Sequence, residues 1–494
     1  MKKFIIYSFL GLALGFASCN DDDSENIYVQ DSTLSGLSAT SFSMPAEGGT
    51  ENFTVTCAAM PSAVSDSEWI VVNRISSSNK LHTFSVTASE NSLSEVRTGH
   101  VKVSAGKNSE TITVTQASGA IKPEPAPEED QALLGKKARD ISGDIKAGWN
   151  IGNTLEAIGG ESAWGNPKIN EAYVAGIKAA GFNAVRIPCA WDGYVIDSNN
   201  TIDPAWLDRV NEVVGMVTAQ DMYAIVNIHW DGGWLENNIG TSSTSALINK
   251  QKSFWTQIAT RLGHYNEKLL FAGLNEPNAG NEWGSASDNA AAMQALLDYE
   301  QAFVDAVRAT GGNNSTRTLV VQAPHTSINM AWDYMNELPS DPAGDGYMMV
   351  EVHYYDPSDY TIMEDDGSWA QYVKFFWGSP YHQGGERDCT WGEEASMLSQ
   401  LQRMQTKFVD KGIPVVLGEY GAYPEEHISK NGVTFTDSEL EIVKASREYW
   451  YKSFTTYARQ TGVLPFVWDT GELIDRNSGN VKNGKQYIID ALVK

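Results

Sequence analysis

From about Asp130 to its end, the chain alternates short apolar runs with longer stretches of helical period. No other feature constrains the fold as much. Eight runs read as strands: residues 147–153, 184–188, 223–229, 269–275, 318–322, 347–353, 414–419 and 464–468. Helical patterns lie at 171–180, 205–220, 247–265, 289–309, 394–410 and 437–461. Only the connection after the fifth strand gives no clear pattern. Apolar runs of this kind are buried on both faces, as strands of a parallel sheet are. Strand and helix in alternation, eight strands long, predict a (β/α)8 barrel, an α/β fold with its site at the C-terminal ends of the strands.

Polar residues gather at those ends. Leu269-Leu270-Phe271-Ala272-Gly273-Leu274 stops at Asn275-Glu276-Pro277, where proline ends any ladder. A second apolar run stops at Glu419. Arg186 ends strand two, His229 strand three, His353 and Tyr355 strand six, and Trp468 strand eight. A single strand-end polar residue is explained by a structural hydrogen bond. Polar groups at six strand ends of one face are not. Two carboxylates across a barrel mouth suit glycoside hydrolysis, in which one is protonated to donate to the leaving oxygen and one is ionised. Arg186 and Tyr355 suit an ionised Glu419. Asn275 suits a sugar 2-hydroxyl, and Trp468 the floor of a subsite.

The first quarter of the chain differs. Met1 to Ser18 reads as a leader: Lys2 and Lys3, then an apolar stretch too short to span a bilayer. Phe16-Ala17-Ser18-Cys19 resembles a bacterial lipobox, which implies cleavage before Cys19 and lipidation of its thiol. Residues 19–33 form an acidic tether beginning Asn20-Asp21-Asp22-Asp23, similar to the export signal of bacterial surface lipoproteins. The resemblance implies a lipid anchor in the outer membrane, at the cell surface; a periplasmic or secreted location is the alternative. Residues 34–118 carry short alternating strands that predict an all-β sandwich. Residues 119–129 hold three prolines and read as an extended linker. The catalytic unit is then 130–494.

With a net charge of −26, the chain lacks the basic surface that nucleic acid requires. Cys57, Cys189 and Cys389 cannot all pair, and no spacing resembles a metal site. Cys189 and Cys389 could bridge, but all three are expected as small buried hydrophobes. His229 and His353 lack ligand partners at helical spacing, so no metal and no cofactor are expected. A monomer is expected.

Two resemblances sharpen this picture. Glu68-Trp69-Ile70, Asn91, Arg97-Thr98-Gly99 and Ile112-Thr113-Val114-Thr115-Gln116 look like a BACON domain, a family often attached to glycan-degrading enzymes. Trp69 is expected in its core, and a spacer role is as good a reading as carbohydrate binding. Residues 130–494 resemble glycoside hydrolase family 5, formerly cellulase family A. The motifs are Gly148-Trp149-Asn150-Ile151-Gly152-Asn153-Thr154, Arg186-Ile187-Pro188, Asn227-Ile228-His229-Trp230, Leu274-Asn275-Glu276-Pro277, Val352-His353-Tyr354-Tyr355, Gly418-Glu419-Tyr420-Gly421 and Phe466-Val467-Trp468. The resemblance implies Glu276 as acid/base and Glu419 as nucleophile. It implies Arg186, His229, Asn275, His353, Tyr355 and Trp468 as substrate-site residues, joined by Trp230 and Trp234. Many members carry His-His where this chain has His229-Trp230. The run from Asn227 to Trp234 is closer to bacterial endoglucanases than to mannanases. A retaining endo-β-1,4-glucanase acting on cellulose-like or mixed-linkage β-glucan is the expectation. Alternatives are a mannanase or xyloglucanase of the same family, or a non-catalytic glycan-binding protein. The loop 356–393 far exceeds ordinary connections and is expected to wall the cleft.

Overall fold

The computed structural model describes residues 31–91, 96–118 and 129–494. Cys19 and the leader lie outside the described residues, as do most of the tether and all but the last residue of the proline-rich linker. The chain divides into two compact units, Met1–Pro127 and Glu128–Lys494.

The described residues of the first unit form seven strands: β1 (Ser41–Met44), β2 (Gly49–Thr56), β3 (Ser62–Ser65), β4 (Ile70–Ser78), β5 (Leu81–Ala88), β6 (Arg97–Ala105) and β7 (Asn108–Gln116). One sheet runs β1-β7-β6-β3 and the other β2-β5-β4. Alternation puts Phe53, Val55, Phe84, Val86, Val101, Val103, Ile112 and Val114 into one core. Three of the dispersed motif positions, Trp69, Arg97 and Gln116, are linked in a row. The Arg97 guanidinium lies over the half-buried indole, 4.4 Å from its centroid, and donates to Gln116 Oε1 at 2.9 Å. Gln116 in turn donates to Pro45, Ala46 and Ser89 carbonyls. These residues bind one another, and Trp69 has one face covered.

The second unit is a closed barrel of eight parallel strands: β8 (Gly148–Ile151), β9 (Ala184–Ile187), β10 (Tyr223–Asn227), β11 (Leu269–Ala272), β12 (Leu319–Gln322), β13 (Met348–Tyr354), β14 (Val415–Tyr420) and β15 (Val463–Asp469). The expected strands are all present, and the expected helices are present with small shifts at their ends. Ser285 with Asp288, and Thr436 with Glu439, close capping boxes at the two longest helices. The unclear connection after the fifth strand holds a short helix, Ile328–Tyr334. It follows His325 and Thr326, both at positive φ (52° and 47°), which turn the chain out of the barrel mouth. Strand β11 ends three residues earlier than expected. Its ladder is taken over by a side chain: Leu274 N–H donates to Gln322 Oε1 at 2.8 Å.

Strand parity divides the barrel residues between two cores. Trp149, Val185, Phe271, Val321, Val350, Val352 and Leu417 face the helices. Ala184, Ile225, Leu270, Ala272, Val320, Met349, Val416 and Phe466 fill the interior, closed below by Ala138, Ile141 and Ile145. Two residues further up the inward rows the interior turns polar: Arg186 follows Ala184, Gln322 follows Val320, and Glu351 and His353 follow Met349. Within β13 and β14, Val352 pairs with Leu417 but His353 pairs with Glu419. Gly418 is the extra residue of a bulge, and such a bulge re-aims the side chain after it.

The loop 356–393 has its own small core of Met363, Val373, Phe375 and Phe376, packed with Val443. Trp377 is also buried, whereas Trp369 and Trp391 remain exposed. Cys57, Cys189 and Cys389 are buried and unpaired. Among the described residues, no helix is long and apolar enough to cross a membrane.

Candidate active site

An oxygen of Glu276, an oxygen of Glu419 and a ring nitrogen of His353 lie within 4.8 Å of one another at the C-terminal mouth of the barrel. Glu419 sits on β14 just past the bulge and is 8% exposed. Its Oε1 accepts from Arg186 Nη1 at 3.0 Å and its Oε2 from the Tyr355 hydroxyl at 3.0 Å. Both oxygens are thus met by donors, which favours the ionised form. Burial works the other way and pushes the Glu419 carboxyl up, with His353 and Arg186 pulling it back.

Glu276 lies in the loop after β11, under the opening, with 46% of its side chain exposed. Its Oε1 accepts from His353 Nδ1 at 2.8 Å, which leaves Oε2 free to carry a proton. Burial alone would raise Glu276. The His353 hydrogen bond, with the charges of His353 and Arg186, holds it below the usual carboxylate range. The greater exposure of Glu276 makes burial weaker there than at Glu419.

Arg186 is fully buried and organises the floor. Its Nη1 also donates to Asn150 Oδ1 at 3.0 Å, and Nη2 to Asn275 Oδ1 at 2.6 Å. A guanidinium only donates, so the Asn275 atom facing it is the oxygen. The Asn275 amide NH2 is left for a ligand. His229 stacks with Trp468, ring centroids 5.7 Å apart and planes 11° off parallel. Burial and the positive charges of Arg186 and His353 hold the His229 imidazole well below its ordinary value, so it is neutral. Gly152 is needed here, because any Cβ would press on the Trp468 ring.

The structure brings together Arg186, His229, Asn275, Glu276, His353, Tyr355, Glu419 and Trp468. Trp230 is 43% exposed just past His229. Trp234 is half-buried. Its Nε1 donates to Asp231 Oδ2 at 2.8 Å, its ring meets Phe254 edge-on, and Lys250 Nζ lies 4.6 Å over it. These contacts hold it into the loop packing and include none of the residues around the carboxylates.

Four residues absent from the sequence-based set complete the site. Asn150 and Gln322 are fully buried beneath it. Glu236 accepts from the Glu276 backbone N–H at 2.6 Å, and burial pushes its carboxyl up to about 8. Glu351 is fully buried beneath Arg186 and His353. The signal for Glu351 was present: a lone acid in the apolar run 348–352, two residues before His353 and therefore on its face.

Residues 149–473 match the family model described as cellulase (glycosyl hydrolase family 5), and residues 58–117 match BACON, described as a putative binding domain. A xyloglucan-specific endo-beta-1,4-glucanase of Bacteroides ovatus is 34% identical over 417 residues, 81% of this chain and 79% of that one. Endoglucanase A of Paenibacillus barcinonensis is 34% identical over 383 residues, 72% of this chain and 90% of that one. Among solved structures, a xyloglucan-specific beta-1,4-glucanase from a ruminal metagenomic library, in complex with XXLG, superposes with a TM-score of 0.63. It is 38% identical and covers 72% of this chain and 96% of its own.

Proposed function

This chain belongs to glycoside hydrolase family 5, and from that premise we propose that it cuts the β-1,4-linked backbone of a glucan through a covalent glycosyl-enzyme. One observation carries the reading: one oxygen of Glu276 and one of Glu419 lie within 4.8 Å of each other across the mouth. Double displacement uses carboxyl groups about 5–5.5 Å apart, whereas inversion needs about 6.5–9.5 Å to admit a water.

In this reading Glu419 attacks the anomeric carbon, oriented by Arg186 and Tyr355. Glu276 protonates the departing oxygen through Oε2. Water then enters, and Glu276 takes its proton. The free site holds Glu276 low and Glu419 high, the reverse of what the first step needs. A sugar laid over Glu276 removes water from its exposed half, which raises its affinity for a proton. Attack by Glu419 then proceeds as that proton is used. Asn275 donates to the 2-hydroxyl, and Trp468 with neutral His229 forms the apolar side of the same subsite.

Two of the three relatives named above are xyloglucan-specific, which favours a second reading in which the glucan backbone carries side chains. Release of reducing ends from xyloglucan, mixed-linkage glucan, a soluble cellulose derivative and β-mannan tests both. Cleavage of the three glucans is expected. A rate on xyloglucan about tenfold or more above the undecorated glucans selects the second reading. Cleavage of mannan alone would sink both.

We also propose that the enzyme is held on the outer membrane by a lipid on Cys19, from the lipobox-like Phe16-Ala17-Ser18-Cys19 and the acidic run after it. Cys19→Ala is expected to move the activity from the membrane to the soluble fraction. Unchanged partition of that variant would remove the anchor from this account.

A further inference from the structure

We propose that Glu351 is a positioning residue: a buried counter-charge that keeps His353 an imidazolium, so that its Nδ1 always donates to Glu276. This rests on the reading of Glu276 as the acid/base, and it is carried by the contacts of the His353 ring. Nδ1 lies 2.8 Å from Glu276 Oε1 and Nε2 lies 3.3 Å from Glu351 Oε1. A neutral imidazole has one N–H. A ring with a carboxylate oxygen at each nitrogen needs two, so the geometry calls for the cation.

Glu351 has been given its own place. It is wholly buried, and Gln322 Nε2 donates to its Oε2 at 2.6 Å. Arg186 Nε stands 2.9 Å from Oε1 as an ion pair that is poorly aligned for a hydrogen bond. A Cβ on Gly418 would overlap that same Oε1, so the bulge glycine also makes room for the acid. An unpaired carboxylate at this depth would be very costly. Arg186 and His353 together meet it.

The charged and titratable groups around the ring come from every side. Arg186 stands on β9, His229 follows β10, Glu236 follows it in the next loop, Glu276 follows β11, Tyr355 follows β13 and Glu419 lies on β14. Burial alone would push the His353 imidazole down, but Glu419, Glu276 and Glu351 hold it up at about 10. Glu276, Glu351 and Glu419 face Arg186 and His353, which leaves one negative charge. One proton on the Glu276–Glu419 pair neutralises the site, and that is the proton the first step uses. If His353 were neutral with its proton on Nε2, Nδ1 would accept from Glu276 and divert that proton from the leaving oxygen.

The test follows the His353 ring by nitrogen-15 NMR of the full chain, with the pH dependence of kcat/KM on a soluble glucan recorded beside it. In the native chain the ring is expected to stay doubly protonated through neutral pH. Glu351→Gln keeps the shape and loses the charge. Its His353 titration is expected to fall by about 1–3 pH units, and the alkaline limb of kcat/KM to move down with it. Glu351→Asp keeps the charge and loses the fit, and its ring is expected to stay protonated at neutral pH. A packing role predicts the opposite order, with Asp the more damaging. A native ring that is neutral at neutral pH overturns the proposal, as does the same titration in Glu351→Gln as in the native chain. Should Glu351→Gln not fold, Glu351→Asp decides: a neutral ring there overturns it. Product stereochemistry tests the roles of Glu276 and Glu419 separately, because the ring titration does not depend on which of the two attacks and which donates the proton.

Discussion

Glu419→Ala is expected to lower kcat on every glucan by on the order of 10⁴–10⁶-fold, the scale on which loss of a nucleophile is felt. Glu419 accepts from Arg186 Nη1 and Tyr355 OH, 3.0 Å each, and no other carboxylate on the mouth has this setting. Glu276 is tied to His353, and Glu351 is buried under the floor. With Glu419 gone, no covalent intermediate can form. Added azide can only attack directly, so a β-glycoside with an activated leaving group would give an α-azide, if it gives any product. Proton NMR of the first product reads this out. A β-azide from Glu419→Ala would mean that some other group attacks, and the assignment would fall.

The second large effect is at Glu276. Glu276→Ala should cost about 10²–10⁴-fold on a natural glucan, the range for general acid–base catalysis. The loss should be smaller on a substrate whose leaving group departs without a proton, because Glu419 still attacks. Azide, needing no general base, should then intercept the glycosyl-enzyme and give a β-azide. The unmodified enzyme should release the β-hemiacetal first, by two inversions. An α-hemiacetal would exclude double displacement and the separation argument with it. Equal losses on natural and activated substrates in Glu276→Ala would remove Glu276 as the acid.

The fold decides what the aromatic residues do. The resemblance implies Trp234 as a substrate-site residue. A motif states proximity along the chain, and the loop spends this indole on Asp231 and Phe254. The aromatics of residues 356–393 divide in a way the sequence leaves open: Phe375, Phe376 and Trp377 are buried, and Trp369 and Trp391 stay exposed. Trp69 is expected in the core of the first unit. It packs against that core half-buried, with Arg97 across it, since an amphipathic guanidinium covers an aromatic face well.

The sequence by itself determined the barrel and the sandwich, because burial on two faces or one leaves a period that local pattern exposes. It also pointed to the strand-end pair Glu276 and Glu419, because polar groups at six strand ends of one face have no common structural use. Only the tertiary structure decided which buried polar residues serve that pair. Asn150, Glu236, Gln322 and Glu351 come from four segments between residues 150 and 351. Their roles arise from distances across a closed barrel, Arg186 to Asn150 at 3.0 Å and His353 to Glu351 at 3.3 Å. Gly418 shows the division most simply. In the sequence it is the residue before an acid. In the fold it is the extra residue of a bulge, and it has no side chain because the Glu351 carboxylate occupies that space.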